Sequence, residues 1–216
     1  MACLHTNQLK LTSTPSLVKV KDALHARFPV TGVKVSSPAV VCPFGKYRSE
    51  TTEIVIADYI TEKNGFKVYE ISDSNNGWMQ VSPDAHNSYV AQVDRQHNGK
   101  VKPLIRFIKA WKYYQKVPIS SFYLEMRVAK YASQENCIVY GIDIKNILKN
   151  LLDGNLASMQ DPMEFSGYIT ACKTEAFKTD SLSKLRTAVS RAEKALAAES
   201  NSDIKSAFEW WDSLYD

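Results

Sequence analysis

The stretch VKPLIRFIKAWKYYQKVPISSFYLE, residues 101–125, places a lysine on a predicted helix and a Ser-Ser-Phe step shortly after it. Lys109 borders the apolar stripe of that helix, so its aliphatic stem can pack while its ammonium group points into an adjoining cleft. Ser120 or Ser121 can cap the next helix, and a helix N-terminus binds phosphate through its N–H groups. Phe122 can stack on a base. These residue types suit the binding of a nucleotide polyphosphate.

Each of these features also has an ordinary structural explanation. The basic residues of the first helix fall on one side of it at 100° per residue and could form a solvated face. These residues are Lys102, Arg106, Lys109 and Lys116. The Ser-Ser-Phe step could be a helix cap followed by a core aromatic residue. Spacing alone therefore leaves phosphate binding open.

Glu53, in TTEIVIADYI, is the carboxylate that best suits metal chemistry, because it lies among β-branched residues on a predicted strand. It could equally face solvent from an edge strand. Asp58 is a weaker candidate near the predicted strand end. His86 has no cysteine or carboxylate at metal-ligand spacing, so we expect a packed or capping histidine. The sequence contains no GxSxG, GxxxxGK[ST] or GxGxxG motif.

The N-terminal half must supply the strand that carries Glu53. Apolar residues at helical spacing predict a helix from Pro15 to Phe28. Runs rich in β-branched residues predict strands at 33–44 and 52–60, and an alternating run predicts another at 66–72. Turn residues between the runs favour a three-stranded antiparallel meander. Residues 73–99 read as a mixed loop with a short helix after Pro83.

The C-terminal half is predicted to be helical. The helix that carries Lys109 spans 100–116, with one apolar stripe formed by Val101, Leu104, Ile105, Ile108 and Trp111. Further helices are predicted at 120–133, at 143–159 with a break at Gly154, at 174–199 and at 203–215. The sequence thus predicts an α+β fold, with a small sheet followed by helices.

Composition indicates a soluble globular protein. The chain has 216 residues, of which 44% are apolar and 23% charged, and its net charge is +4. This mild charge permits anionic ligands such as nucleotides without indicating a nucleic-acid groove. No apolar run reaches transmembrane length and the N-terminus lacks a signal-peptide core, so we expect a cytoplasmic protein. The four widely spaced cysteines predict reduced thiols.

Four segments in order, TEIVIADYI, GW…SPDAH, KVKPLIRFIKAW and SSFYLE, resemble those of the bacterial cyclic-oligonucleotide synthases. These are relatives of cyclic GMP-AMP synthase and oligoadenylate synthase among the polymerase-β-type nucleotidyltransferases. The resemblance implies that residues 1–14 form an irregular tail, that 15–98 form a partial nucleotidyltransferase palm sheet, and that 99–216 form a helical nucleotide-binding lobe.

The resemblance also implies roles for individual residues. Glu53 matches a metal-binding catalytic carboxylate, and Lys109 matches a lysine that contacts the triphosphate of a bound nucleoside triphosphate. Ser121 matches a serine that hydrogen-bonds the same phosphates, and Phe122 an aromatic residue that stacks on the base. The family uses Mg²⁺ for nucleotidyl transfer and makes second messengers for antiviral defence.

The sequence departs from the family pattern at the metal site. The family carries a Gly-Ser loop and an Asp-x-Asp strand upstream of the matched region, and this sequence contains neither. Two of the three metal-binding carboxylates are therefore absent, and Ile56 stands where proline is usual. We expect a truncated or split synthase that is inactive alone and binds Mg²⁺ only if a separate chain supplies the missing carboxylates.

Two alternatives remain open at this point. The chain could be a non-catalytic module that binds a nucleotide or a partner through Lys109 and Ser121. It could also be a helical interaction protein, as the pair Trp210-Trp211 hints, although an aromatic pair on a C-terminal amphipathic helix usually packs in a core.

Overall fold

The computed structural model describes residues 2–3, 12–73 and 75–216, without the side chains of residues 2, 3 and 48. The chain divides into two compact units, Met1–Ala85 and His86–Asp216. The division lies at the start of a helix whose Val90 and Val93 belong to the core of the second unit. The boundary expected from the sequence, residue 98, lies at the other end of that helix.

The described part of the first unit is a mostly antiparallel sheet with one α-helix and a short 3-10 helix at Lys46–Arg48. Its elements are β1 (Ala2–Cys3), α1 (Ser13–Arg27), β2 (Lys34–Ser36), β3 (Ala39–Phe44), β4 (Glu50–Lys63), β5 (Phe66–Ser72) and β6 (Trp78–Val81). The sheet order is β2-β3-β4-β5-β6, and β1 pairs in parallel with β4. Leu17 of α1 packs against Val40 and Ile56 on the sheet, which forms the core of this unit.

Strand β4 organises this sheet. It pairs with β3 along its first part and with β5 along its second. The β4–β5 hairpin closes at Asn64-Gly65, both with positive φ, as a tight two-residue turn requires. Because pairing continues to Lys63, the strand is longer than the predicted 52–60. Asp58 therefore lies inside the strand and is buried, not near the strand end as expected.

Three other details of the first unit differ from the prediction. The run 33–44 is split into β2 and β3 by a turn at Ser37-Pro38, a dipeptide that favours turns. Strand β6 lies in the predicted loop and pairs with β5. Of the expected irregular tail, residues 1 and 4–11 lie outside the described part, whereas Ala2–Cys3 form β1 and Ser13 begins α1.

The second unit is helical apart from one short hairpin. Its elements are α2 (Pro83–Gln96, which begins at the unit boundary), α3 (Val101–Tyr114), α4 (Ser121–Ala132), α5 (Tyr140–Asp153), β7 (Met159–Gln160), β8 (Tyr168–Ile169), α6 (Glu175–Ser200) and α7 (Ile204–Tyr215). A single core unites the helices, and its largest fully buried side chains include Trp111, Tyr123 and Leu148.

The α+β fold class and the helical C-terminal part are confirmed. The predicted stripe of α3 is fully buried, and α4 begins directly after Ser120 as its cap predicts. Helix α5 begins earlier than expected and ends at Gly154. The predicted short helix after Pro83 is the full helix α2. Hairpin β7–β8 was not predicted, because two-residue strands leave no periodic pattern.

The Trp210-Trp211 pair is only partly buried. Trp211 packs against the core and donates from Nε1 to Glu199, whereas Trp210 lies beneath the ammonium group of Lys194. The cysteines with described side chains, Cys42, Cys137 and Cys172, form no disulfide. Across the described residues, no helix combines the length and apolar character of a membrane span.

Candidate functional site

Helix α3 is fixed at its N-terminus by the preceding helix. The Asp94 carboxylate accepts hydrogen bonds from the backbone N–H groups of Val101 and Lys102, both at 2.9 Å. This cap satisfies two of the N–H groups that a helix start leaves without a partner inside the helix. The apolar stripe of α3 then faces the core, so Lys109 lies half-buried at the edge of that stripe.

Helix α4 is fixed at its N-terminus in two ways. The Ser120 hydroxyl accepts a hydrogen bond from the Tyr123 N–H at 3.3 Å, which makes Ser120 the N-cap. The Ser120 N–H donates to the Ala171 carbonyl, just after β8, at 2.8 Å. With Ser120 as the cap, the hydroxyl of Ser121 is available to the neighbouring helix α3.

Four polar side chains, Lys109, Lys112, Ser121 and Glu125, connect α3 and α4; we call them the α3–α4 ladder. Lys109 forms a hydrogen-bonded ion pair with Glu125, and Lys112 donates to the Ser121 hydroxyl at 2.7 Å. The lysines are three residues apart and the two α4 residues four apart, so each pair lies on one helix face.

The ladder contains two residues that the sequence analysis singled out and two that it did not. Lys109 and Ser121 lie on facing helices, and each is paired with another residue of the ladder. Their partners are Glu125 and Lys112, respectively. Helical spacing in the sequence could have predicted both Lys112 and Glu125, because Lys112 is one helical turn from Lys109 and Glu125 is one turn from Ser121.

Phe122 lies next to the ladder, half-buried against the helical core. Its ring meets that of His86 at a centroid distance of 4.8 Å with the planes 72° apart, an edge-to-face contact. The second neighbour of His86 is Phe165, at 6.5 Å between ring centroids. The ring of Phe122 is thus held by His86 at the first turn of α4.

His86 forms a buried hydrogen bond with Asp161, from Nε2 to Oδ2 at 2.9 Å. Asp161 is fully buried in the loop between β7 and β8 and also accepts from three backbone N–H groups of that loop, at 2.8 to 3.0 Å. Those donors are Met163, Phe165 and Ser166. The expectation that His86 is a packed histidine is consistent with its burial, but its carboxylate partner was not foreseen.

The hydrogen bonds of Asp161 determine its charge. Burial alone raises the pKa of a carboxyl group, because it disfavours the charged form. Here the donors from His86 and the loop backbone outweigh burial and hold the pKa of Asp161 well below its usual value. Asp161 is therefore an anion near neutral pH, and since an anionic carboxylate only accepts, the His86 Nε2 carries the hydrogen.

Glu53 lies on β4 in the first unit, opposite Val41, with its side chain exposed. Two Mg²⁺ ions need several carboxylate oxygens that converge on one point. Among the described residues, no group of three or more His, Cys, Asp or Glu side chains could hold a metal ion. The described residues therefore do not fit a two-metal site.

The ladder is suited to binding an anion. The ammonium groups of Lys109 and Lys112 lie against the first two turns of α4, where Ser121 contributes a hydroxyl group. The helix dipole also favours negative charge at this end of α4. The Glu125 carboxylate opposes the ammonium groups, and its ion pair with Lys109 is partly exposed. A polyphosphate that displaced the Glu125 carboxylate would gain charge-assisted hydrogen bonds from both lysines.

Sequence comparison links the chain to a cyclic nucleotide synthase. No family model matches the sequence. A probable cyclic nucleotide synthase of Bacillus cereus strain VD146 is 29% identical over 79 residues, which cover 36% of this chain and 24% of that protein. The match thus spans less than two thirds of that relative's length.

Solved structures of bacterial synthases share the fold. CdnC of Escherichia coli MS115-1, solved with ATP, superposes with a TM-score of 0.69 at 13% identity over 99% of this chain and 75% of CdnC. Escherichia coli DncV, solved with 3'-deoxy GTP, gives a TM-score of 0.65 at 15% identity over 90% of this chain and 54% of DncV. The resemblance predicted from the sequence is confirmed, and at these identities the structural likeness establishes the fold.

Proposed function

We propose that this chain binds a nucleoside triphosphate through the α3–α4 ladder, as part of a nucleotidyltransferase of the cyclic-oligonucleotide synthase type. Lys109 and Lys112 bind the phosphates, the Ser121 hydroxyl donates a hydrogen bond to them, and Phe122 stacks on the base. The observation that carries the proposal is the ladder itself, in which two lysines of α3 face the first two turns of α4. The fold likeness to synthases solved with ATP and 3'-deoxy GTP supports it.

The first test is the affinity of the full chain for ATP and GTP, measured by isothermal titration calorimetry. Lys109→Ala removes a charged hydrogen-bond donor, so we expect it to weaken binding by about 1–3 kcal/mol. Lys205→Ala is the matched control, because Lys205 is 88% exposed on α7 and has only a long ion pair with Glu209. Equal affinities of the two variants, or no saturable binding at millimolar nucleotide, would overturn the proposal.

A second candidate function is a non-catalytic nucleotide-binding module. This candidate is favoured because the described residues do not gather the carboxylates that two metal ions need. We propose that nucleotidyl transfer by this protein depends on carboxylates other than Glu53, such as those of a separate chain, and that this chain alone binds nucleotide without turnover.

Turnover distinguishes the two candidates. We expect the chain alone, incubated with ATP, GTP and Mg²⁺, to release no pyrophosphate above background, because Glu53 by itself cannot hold the metal ions. The comparison is with Glu53→Gln, which should behave like the wild type. Pyrophosphate release by the wild type that Glu53→Gln abolishes would instead establish Glu53 as catalytic and make the chain an active transferase.

A further inference from the structure

The buried pair of His86 and Asp161 has no role in the proposed phosphate contacts. The two residues are 75 positions apart in sequence, and their side chains are 7% and 0% exposed. Taking such a pair out of water is costly, and apolar residues of similar volume would fill the same space without that cost. Such a buried pair instead fixes the relative positions of the elements that it joins.

The pair connects α2 with the β7–β8 loop, and both α2 and the segment that follows β8 contact the start of α4. The ring of His86 lies against Phe122 in the first turn of α4. On the other side, the chain leaving β8 accepts the hydrogen bond from the Ser120 N–H at Ala171. The hydrogen bond to Asp161 fixes the orientation of the His86 ring, because it ties Nε2 to a carboxylate that three backbone N–H groups hold in place.

We propose that His86 and Asp161 are positioning residues that hold the Phe122 ring in the orientation needed to stack on a nucleotide base. This inference rests on the proposed function, and it assigns the orientation of the base-stacking ring to α2, which carries His86, and to the β7–β8 loop, which carries Asp161. Because the contact of His86 with the proposed site is through the Phe122 ring, we expect the pair to act on the base and not on the phosphates.

Because His86 and Asp161 are assigned to the base and the ladder lysines to the phosphates, two ligands should respond differently to their loss. ATP has a base and a triphosphate, whereas inorganic tripolyphosphate has only the phosphate groups. Loss of the His86 ring should weaken ATP binding and leave tripolyphosphate binding unchanged. Loss of Lys109 should weaken both. A purely structural role for His86 would not discriminate between the two ligands.

The experiment measures the affinities of the full chain for ATP and tripolyphosphate by calorimetry. His86→Gln keeps an N–H donor within reach of Asp161 but removes the ring, so the fold should survive. We expect it to weaken ATP binding about two- to tenfold, the value of one aromatic edge contact. Phe122→Ala should itself weaken ATP binding about five- to hundredfold, because the stacking on the base is lost. When His86→Gln is added to Phe122→Ala, we expect no further loss of ATP affinity.

Asp143→Asn is the control for general destabilisation. Asp143 is also a buried carboxylate of the helical unit, but it accepts from the Tyr131 hydroxyl at 2.6 Å and from the Val139 N–H, which belong neither to the ladder nor to the His86–Phe122 contact. We expect it to leave both affinities unchanged. A second variant, Asp161→Asn, tests the carboxylate directly and should reproduce the selective loss of ATP affinity.

The outcomes separate this inference from the proposed function. If Lys109→Ala weakens both ligands while His86→Gln and Asp161→Asn change neither, the inference is wrong and the proposed function stands. An equal loss of ATP and tripolyphosphate affinity in His86→Gln also overturns the inference. If the wild type binds neither ligand, both proposals are wrong.

Discussion

Lys109 contacts Glu125 in the structure, although its proposed ligand is a triphosphate. The ion pair is partly exposed, with 33% of the lysine side chain and 25% of the glutamate side chain accessible. Exposed ion pairs contribute about 0–1 kcal/mol, so Glu125 holds Lys109 only weakly. If Lys109 binds phosphate as proposed, a triphosphate, which carries more negative charge than one carboxylate, should displace Glu125, and Glu125 is then a weak competitor of the ligand.

Asp161 is the residue whose protonation should most affect the stability of the helical unit. Its pKa is below the unfolded value because of its hydrogen bonds from His86 and the loop backbone. Its contribution to stability is therefore complete above the unfolded pKa, about 3.9, and is lost as pH falls towards the lower folded pKa. We expect the free energy of unfolding, measured with urea, to fall below about pH 4.

Asp161→Asn isolates this contribution. At pH 7 the variant should be less stable by about 1–3 kcal/mol, because the amide accepts fewer of the buried donors. The difference from the wild type should shrink as the pH is lowered through 4, since the wild type then loses what the variant already lacks. A difference that stays constant from pH 7 to pH 3 contradicts this account of Asp161.

Among the elements, those defined by a strong local pattern are the ones that the sequence predicted well. The stripe of α3 repeats over about three turns, and Ser120 is a good N-cap, so both helices lie within a residue or two of their predicted bounds. The α3–α4 contact follows from them, and with it the neighbourhood of Lys109 and Ser121.

The remaining elements depend on contacts between distant parts of the chain. β6 exists because it pairs with β5, and β7–β8 because Asp161 organises the loop between two short strands. The His86–Asp161 bond joins residues 75 positions apart, and neither has a local motif that points to the other. Glu53 illustrates the same limit of local patterns, because its strand was predicted but its exposure depends on the sheet around it.

For the whole chain, similarity to solved structures supports the fold, whereas side-chain geometry supports the proposed nucleotide binding. The likeness to CdnC extends over 99% of the chain at 13% identity, so the architecture is shared while most side chains differ. The proposed nucleotide binding therefore depends on the ladder, in which two lysines of α3 lie opposite Ser121 and Glu125 of α4. Among the described residues, no group of three or more His, Cys, Asp or Glu side chains could hold a metal ion.

The affinity of Glu125→Gln for ATP tests the central claim most directly, because it separates an anion site from a structural ion pair. If Lys109 exchanges Glu125 for a phosphate, removal of the competing charge should tighten ATP binding relative to the wild type, by up to about fivefold for an ion pair worth about 1 kcal/mol. Glu209→Gln, at an exposed position on α7, should leave the affinity unchanged. Weaker binding by Glu125→Gln, or an affinity equal to that of Glu209→Gln, would contradict the claim.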